Sequence, residues 1–150
     1  MKTLAFTCGD INGIGPEICI KTINQIYSPS ERKIVLFCTS NVIEEELLGT
    51  THSFSYQIIK DKLPQNLDPS YVTIINTGNY KQQVGKPTIF SGKAAFASLK
   101  RAYEAASLKL ADAIITAPVS KTAFKFAGIK YPGQTEILAK FSKSKNYLMV

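Results

Sequence analysis

With 150 residues, 45% of them hydrophobic and 19% charged, the chain has the composition of one globular domain large enough to bury a core. Its formal charge of +7 comes from scattered lysines with no dense basic run and no interleaved aromatics, which excludes a nucleic-acid interface and leaves a solvated surface able to draw in a phosphorylated small molecule. No apolar run approaches the roughly 20 residues of a membrane helix, and Cys8, Cys19 and Cys38 stand apart among apolar neighbours, as buried thiols of a reducing compartment do. Residues 3–8 then open the chain as an apolar strand. It lies so near the amino terminus that no secretion signal fits before it, and a cytoplasmic protein with no membrane partner is expected.

The strand runs into Gly9-Asp10-Ile11-Asn12-Gly13-Ile14-Gly15-Pro16-Glu17, a turn that leads directly into a helical pattern. Gly13 and Gly15 have no β-carbon to keep a ligand away from the backbone. Pro16 suits a first helical turn, whose free N–H groups and dipole favour an anion. Asp10, just past the strand, is placed to orient a hydroxyl or a cofactor ribose. Asp10, Gly13 and Gly15 are therefore candidate ligand-facing residues. The glycine spacing is neither that of a P-loop nor that of a dinucleotide fingerprint, and on the residues alone a ligand-free βα turn stays open.

Residues 16–27 predict a helix, 33–39 a strand and 42–48 a short helix. Ile34-Val35-Leu36-Phe37 is a continuous apolar run suited to a strand buried on both faces, and the strand–helix–strand order predicts parallel pairing. Residues 53–59 and 71–75 read as further strands around the polar segment 61–69, followed by a loop over 76–87. Ser91 is expected to cap a long helix carrying Ala95, Leu99, Ala102, Ala106 and Leu110 on one side. Residues 112–116 predict a strand and 121–126 a short helix. Ser120 is that helix's expected N-cap, and Lys121 stands at the carboxyl edge, where it could neutralise a phosphate. Thr135 is expected to cap a last helix over 135–142. Residues 146–150 read as the start of another buried strand, so the chain is expected to be the amino-terminal part of a longer protein. The single histidine, His52, lies in a polar stretch, and no Cys/His or paired-carboxylate spacing predicts a metal site.

The string Gly-Asp-x-x-Gly-Ile-Gly-Pro-Glu resembles the start of the 4-hydroxythreonine-4-phosphate dehydrogenases, enzymes of pyridoxal phosphate synthesis. The isocitrate and isopropylmalate dehydrogenases, a related fold group, carry a shorter version without the two residues that are Ile11 and Asn12 here. Ser91-Gly92-Lys93-Ala94-Ala95, Ile114-Ile115-Thr116-Ala117-Pro118-Val119-Ser120-Lys121 and Pro132-Gly133-Gln134-Thr135-Glu136 follow in the family's order. The resemblance implies a three-layer α/β/α fold with a mostly parallel sheet, in the amino-terminal part of a two-domain, homodimeric dehydrogenase. It implies NAD or NADP as cofactor and a divalent metal (Zn, Mg or Co) held by histidines beyond this chain. The implied reaction is oxidation of 4-phosphohydroxy-L-threonine followed by loss of carbon dioxide.

By the same resemblance, Gln134 and Thr135 are substrate-binding residues. The family usually has Gly-His-Thr-Glu at this point, so Gln134 is a departure. Its amide can donate to a phosphate oxygen but carries no charge and moves no proton. A paralogue acting on another phosphorylated four-carbon hydroxy acid is one alternative. An inactive fragment or anion-binding module is the other, should the natural chain end at residue 150.

Overall fold

A computed structural model describes residues 1–60 and 62–147. The chain forms β1 (Lys2–Thr7), α1 (Gly15–Ile26), β2 (Arg32–Cys38), α2 (Ser40–Gly49), β3 (Tyr56–Ile59), β4 (Val72–Asn76), α3 (Ile89–Ser107), β5 (Ala113–Thr116), α4 (Lys121–Phe126) and α5 (Gln134–Phe141). The strands make one sheet in the order β3-β4-β2-β1-β5, and every pairing is parallel. Among the described residues, no helix is long and apolar enough to cross a membrane.

Alternation along β2 explains the layers. Ile34 and Leu36 face α1 and α2 in a core that includes Phe6, Ile20, Ile23, Ile43 and Ile74, whereas Val35 and Phe37 face Ala102 and Ala105 of α3 on the other side. The sheet is thus covered by helices on both faces, as an all-parallel sheet requires. A third cluster of Ala95, Leu99, Phe124 and Ile137 fastens α4 and α5 to α3. The contact between α3 and α4 is close: a β-carbon on Gly92 would lie 2.2 Å from the Ala123 carbonyl oxygen. Buried Ser98 ties α3 to the sheet, its Oγ donating to the Phe37 carbonyl at 2.6 Å and accepting from the Cys8 N–H at 3.1 Å.

Four expectations are corrected. The third strand begins at Tyr56 rather than at 53, because the Ser53 N–H donates to Asn24 Oδ1 of α1 at 2.7 Å and holds that stretch to the helix. Ser91 is not the cap of α3. Thr88 is, with the Ser91 N–H donating to Thr88 Oγ1 at 3.0 Å and the Thr88 N–H donating to Ser91 Oγ at 3.1 Å, a reciprocal box that starts the helix earlier. Thr135 sits inside the first turn of α5, and the cap position belongs to Gly133. Asn146 and Tyr147 are exposed and outside any strand, and the remainder of the strand expected at 146–150 lies outside the described residues.

Candidate functional site

The chain leaves β1 through α1 to reach β2 on one side, and returns from β4 through α3 to reach β5 on the other. The carboxyl ends of β1 and β5 therefore flank a point where the connections diverge to opposite faces. In open α/β sheets that crevice is where ligands bind. Three of the motifs singled out in the sequence meet there. The Asp10 N–H donates to the Pro118 carbonyl at 2.8 Å, and Gln134 Nε2 donates to the Ala117 carbonyl at 3.1 Å. Ser120 Oγ accepts from the Ala123 N–H at 3.1 Å and caps α4 as expected, which leaves Lys121 exposed on its first turn. Segment 117–121 is thus the common hinge of Asp10, Gln134 and Lys121.

The turn after β1 is built differently from its expected use. Gly15 is buried, and a β-carbon there would lie 2.1 Å from the Cys8 carbonyl oxygen, so its missing side chain admits the chain's own strand rather than a ligand. Gly13 is exposed beside the Asp10 carboxylate, with room for a β-carbon 3.6 Å from Oδ2. One Asp10 oxygen, Oδ1, accepts from the Asn12 N–H at 3.0 Å, which fixes the carboxylate at the crevice.

Asn12 carries more of this site than its place in the motif suggests. Buried at 2% exposure, it clasps the loop that precedes α3. Its Nδ2 donates to the Lys86 carbonyl at 2.7 Å and to Thr88 Oγ1 at 3.2 Å, and its Oδ1 accepts from the Gln83 N–H at 2.7 Å. The Gly85 N–H reaches the Asn12 carbonyl at 2.7 Å, and Gln82 Nε2 reaches the Ile11 carbonyl at 2.7 Å. A polar residue enclosed in a glycine-rich turn was the available signal. Its partners, more than seventy positions away, were not.

Gln134 is half-buried at the start of α5. While Nε2 serves the Ala117 carbonyl, Oε1 is buried and has no hydrogen-bond partner among the described residues. An enclosed carbonyl oxygen without a donor costs about 1–3 kcal/mol. Thr135, the next residue, is half-buried in the same turn. The segments that meet here carry Lys121, Asp10 and Glu136, the last in the first turn of α5, where a carboxylate suits the dipole.

The described residues do not fit a metal: no three His, Cys, Asp or Glu side chains gather to hold one. His52 packs against Phe54 with ring centroids 4.9 Å apart and the rings tilted by 43°, and its Nδ1 lies 3.0 Å from the Thr50 carbonyl. The three cysteines are free and buried; burial pushes the Cys19 and Cys38 thiols above their ordinary range, whereas hydrogen bonding with Cys38 holds the Cys8 thiol below its own. Nor does the turn of residues 9–15 fit a dinucleotide cradle, since its Gly13 N–H is used by the Asp10 carbonyl at 3.1 Å and Gly15 is filled by β1.

Comparison with known proteins agrees with this architecture. The family described as "Pyridoxal phosphate biosynthetic protein PdxA" matches residues 30–150. D-threonate 4-phosphate dehydrogenase of Salmonella typhimurium is 32% identical over 152 residues, covering 99% of this chain and 46% of that protein. 4-Hydroxythreonine-4-phosphate dehydrogenase of Synechococcus sp. strain JA-3-3Ab is 34% identical over 155 residues, covering 100% of this chain and 42% of that protein. The crystal structure of a 4-hydroxythreonine-4-phosphate dehydrogenase from Burkholderia phymatum superposes with a TM-score of 0.84 at 26% identity, over 97% of this chain and 45% of that one. The chain spans less than half the length of these relatives. In sequence over most of its length, and in fold, it belongs to the PdxA family of pyridoxal phosphate biosynthetic proteins.

Proposed function

We propose that this chain is the amino-terminal part of a two-domain dehydrogenase that oxidises the secondary alcohol of 4-phosphohydroxy-L-threonine. The resulting β-keto acid then loses carbon dioxide, as a step in pyridoxal phosphate synthesis. The observation that carries the proposal is the convergence of Asp10, Gln134 and Lys121 on segment 117–121, at the β1/β5 crevice of a PdxA-family chain. In this reading the first turn of α5, with Thr135 and Gln134, receives the substrate phosphate, and the Lys121 ammonium adds counter-charge. The Asp10 carboxylate, held on one oxygen by the Asn12 N–H, orients a substrate hydroxyl or the cofactor ribose. The divalent metal (Zn, Mg or Co) and most of the contacts to the nicotinamide cofactor (NAD or NADP) are assigned to residues outside this chain. When bound, they supply a hydride acceptor and a Lewis acid. A cytoplasmic homodimer completes the proposal.

A second reading has its own support. A relative is named D-threonate 4-phosphate dehydrogenase, and its substrate carries a hydroxyl where 4-phosphohydroxy-L-threonine carries an ammonium. Gln134, neutral where the family usually has histidine, fits a paralogue acting on such an acid. The deciding experiment gives the full-length protein, with NAD or NADP and each of the three metals, both phosphorylated acids. A higher kcat/KM for 4-phosphohydroxy-L-threonine supports the first reading, and a higher one for D-threonate 4-phosphate supports the second. Absence of reduced nicotinamide with either would leave only an anion-binding module.

A further inference from the structure

Apart from the β1/β5 crevice, a groove of about 570 Å³ runs between the solvent face of α3 and the segment 127–131 that follows α4. Lys93, Phe96 and Lys100 stand along the same side of α3, and Lys130 and Tyr131 form the opposite wall with Tyr80 nearby. None of the ten lining residues is acidic. Lys100 stands 3.9 Å from Glu104, a carboxylate that it shares with Arg101, also at 3.9 Å. The walls are held by packing: Phe96 meets Phe141 edge to face with ring centroids 5.8 Å apart, and Phe96 and Tyr131 both rest on the buried cluster of Leu99, Phe124 and Ile137.

Such a groove has the volume of a small-molecule site and two kinds of recognition in one place. Aromatic side chains and an apolar floor favour a flat ring, and three ammonium groups, of which only that of Lys100 has a carboxylate within 4 Å among the described residues, favour an anion. We infer that this groove binds a planar aromatic monophosphate, its ring against Phe96 and Tyr131 and its phosphate against Lys93 and Lys130, with Lys100 assisting. The inference is independent of the substrate assigned to the crevice. Tyr131 is followed directly by Pro132-Gly133-Gln134, so an occupant would rest on the segment that leads into α5. A nucleoside monophosphate and a phosphorylated pyridine share the required chemistry.

Calorimetric titration of the full-length protein at low ionic strength tests this with AMP, pyridoxine 5′-phosphate, inorganic phosphate and adenosine. At least one of the two aromatic phosphates is expected to bind tenfold or more tightly than both inorganic phosphate and adenosine. The tighter of the two identifies the source, and equal affinities mean that the groove reads only the shared chemistry. The double variant Lys93→Gln/Lys130→Gln is expected to weaken that binding at least tenfold with an unchanged melting temperature. Tyr131→Leu should weaken the aromatic phosphate and leave inorganic phosphate unaffected. If neither aromatic phosphate binds more tightly than inorganic phosphate, or if the double variant binds as the parent does, the inference is overturned.

Discussion

Two turns flank the β1/β5 crevice, and they are finished to different degrees. In the turn of residues 9–15, Asn12 is paired through both ends of its amide, Asp10 through its N–H and one carboxylate oxygen, and Gly15 is packed against β1. In the turn of residues 132–136, the amide of Gln134 is paired on one side only, and the Ile137 N–H reaches the Gly133 carbonyl at a long 3.4 Å. Buried polar groups in folded proteins are paired almost without exception. The first turn is therefore a closed architectural joint. The second retains hydrogen-bonding capacity for a ligand or a further part of the protein.

The most disruptive way to test that contrast is Gly15→Ala. Its β-carbon would meet backbone at 2.1 Å, and neither β1 nor α1 can retreat because both are buried on this side. A loss of about 3 kcal/mol is expected. The matched change is Gly133→Ala, where the extended backbone (φ −164°) accepts any residue and the nearest obstacle is the Glu136 carboxylate at 3.1 Å, which can swing away. That variant should stay within about 0.5 kcal/mol of the parent. Thermal denaturation of the pair measures both, and equal melting temperatures would remove the distinction between a closed and an open turn.

Asn12→Ala follows in size. It deletes donors to the Lys86 carbonyl and Thr88 Oγ1 and the acceptor of the Gln83 N–H, but the exposed loop can recover some of these bonds from water. About 2 kcal/mol is expected from net values near 1 kcal/mol per bond. Hydrogen exchange is the sharper measurement, because the Gln83 and Gly85 amides should lose protection while those of β1 and β2 keep theirs. Retained protection at Gln83 and Gly85 would mean that the loop is held by something other than Asn12.

The legible and illegible parts of the molecule divide by the range over which the residues act. The apolar run of β2 announced a strand buried on both faces, and the order of strands and helices announced a parallel sheet, because both are local consequences of side-chain alternation. Ser120 was legible as a cap for the same reason. Thr88 and Ser91 are both plausible caps by type, and the choice between them depends on which hydroxyl the first turn's N–H groups reach. Glycine at position 15 says that something comes close; only the fold says that the visitor is the carbonyl of Cys8, just past the preceding strand. The Asn12 clasp was hidden because its partners are 71–76 positions away, and the Gln134 amide because its acceptor is on β5's trailing segment.

Gln134 gives a smaller effect on stability and a distinct one on binding. Gln134→Leu removes a hydrogen bond to the Ala117 carbonyl, worth about 1 kcal/mol, together with an unpaired buried oxygen whose removal gains a similar amount, so stability should move by less than about 1 kcal/mol. Gln134→His tests the proposed phosphate site in the full-length protein. One ring N–H can keep the Ala117 carbonyl, and the other, when protonated, offers a charged bond to phosphate. Binding of the phosphorylated substrate should then improve roughly ten- to a hundredfold near pH 6 and much less near pH 8. Unchanged affinity at both pH values would exclude this side chain from phosphate contact.

The smallest effect is expected at the opposite end of the β1/β5 pair, where Lys2 Nζ donates to Asp112 Oδ1 at 2.7 Å and the Thr3 N–H donates to Asp112 Oδ2 at 2.8 Å. Lys2 is largely exposed and Asp112 partly so, and such surface pairs contribute little. Hydrogen bonding from Lys2, then from the Thr3 N–H, holds the Asp112 carboxyl below its usual range, and the same bond raises Lys2 above its own. The carboxyl's contribution is therefore complete above the unfolded value of about 3.9 and disappears as pH falls through its lower folded value. The ammonium's contribution is complete below about 10.4 and disappears as pH rises through its higher folded value. Asp112→Asn should thus lower the melting temperature slightly and evenly between pH 5 and 9, and the difference from the parent should vanish in strong acid, where the protonated carboxyl of the parent is as uncharged as the amide that replaces it. A difference that persists at pH 2 would mean that the shape of the side chain, rather than its charge, joins the two strands. Because the backbone bond from the Asp112 N–H to the Thr3 carbonyl at 2.9 Å survives the substitution, the strand register should survive too, and the crevice at the other end should bind as before.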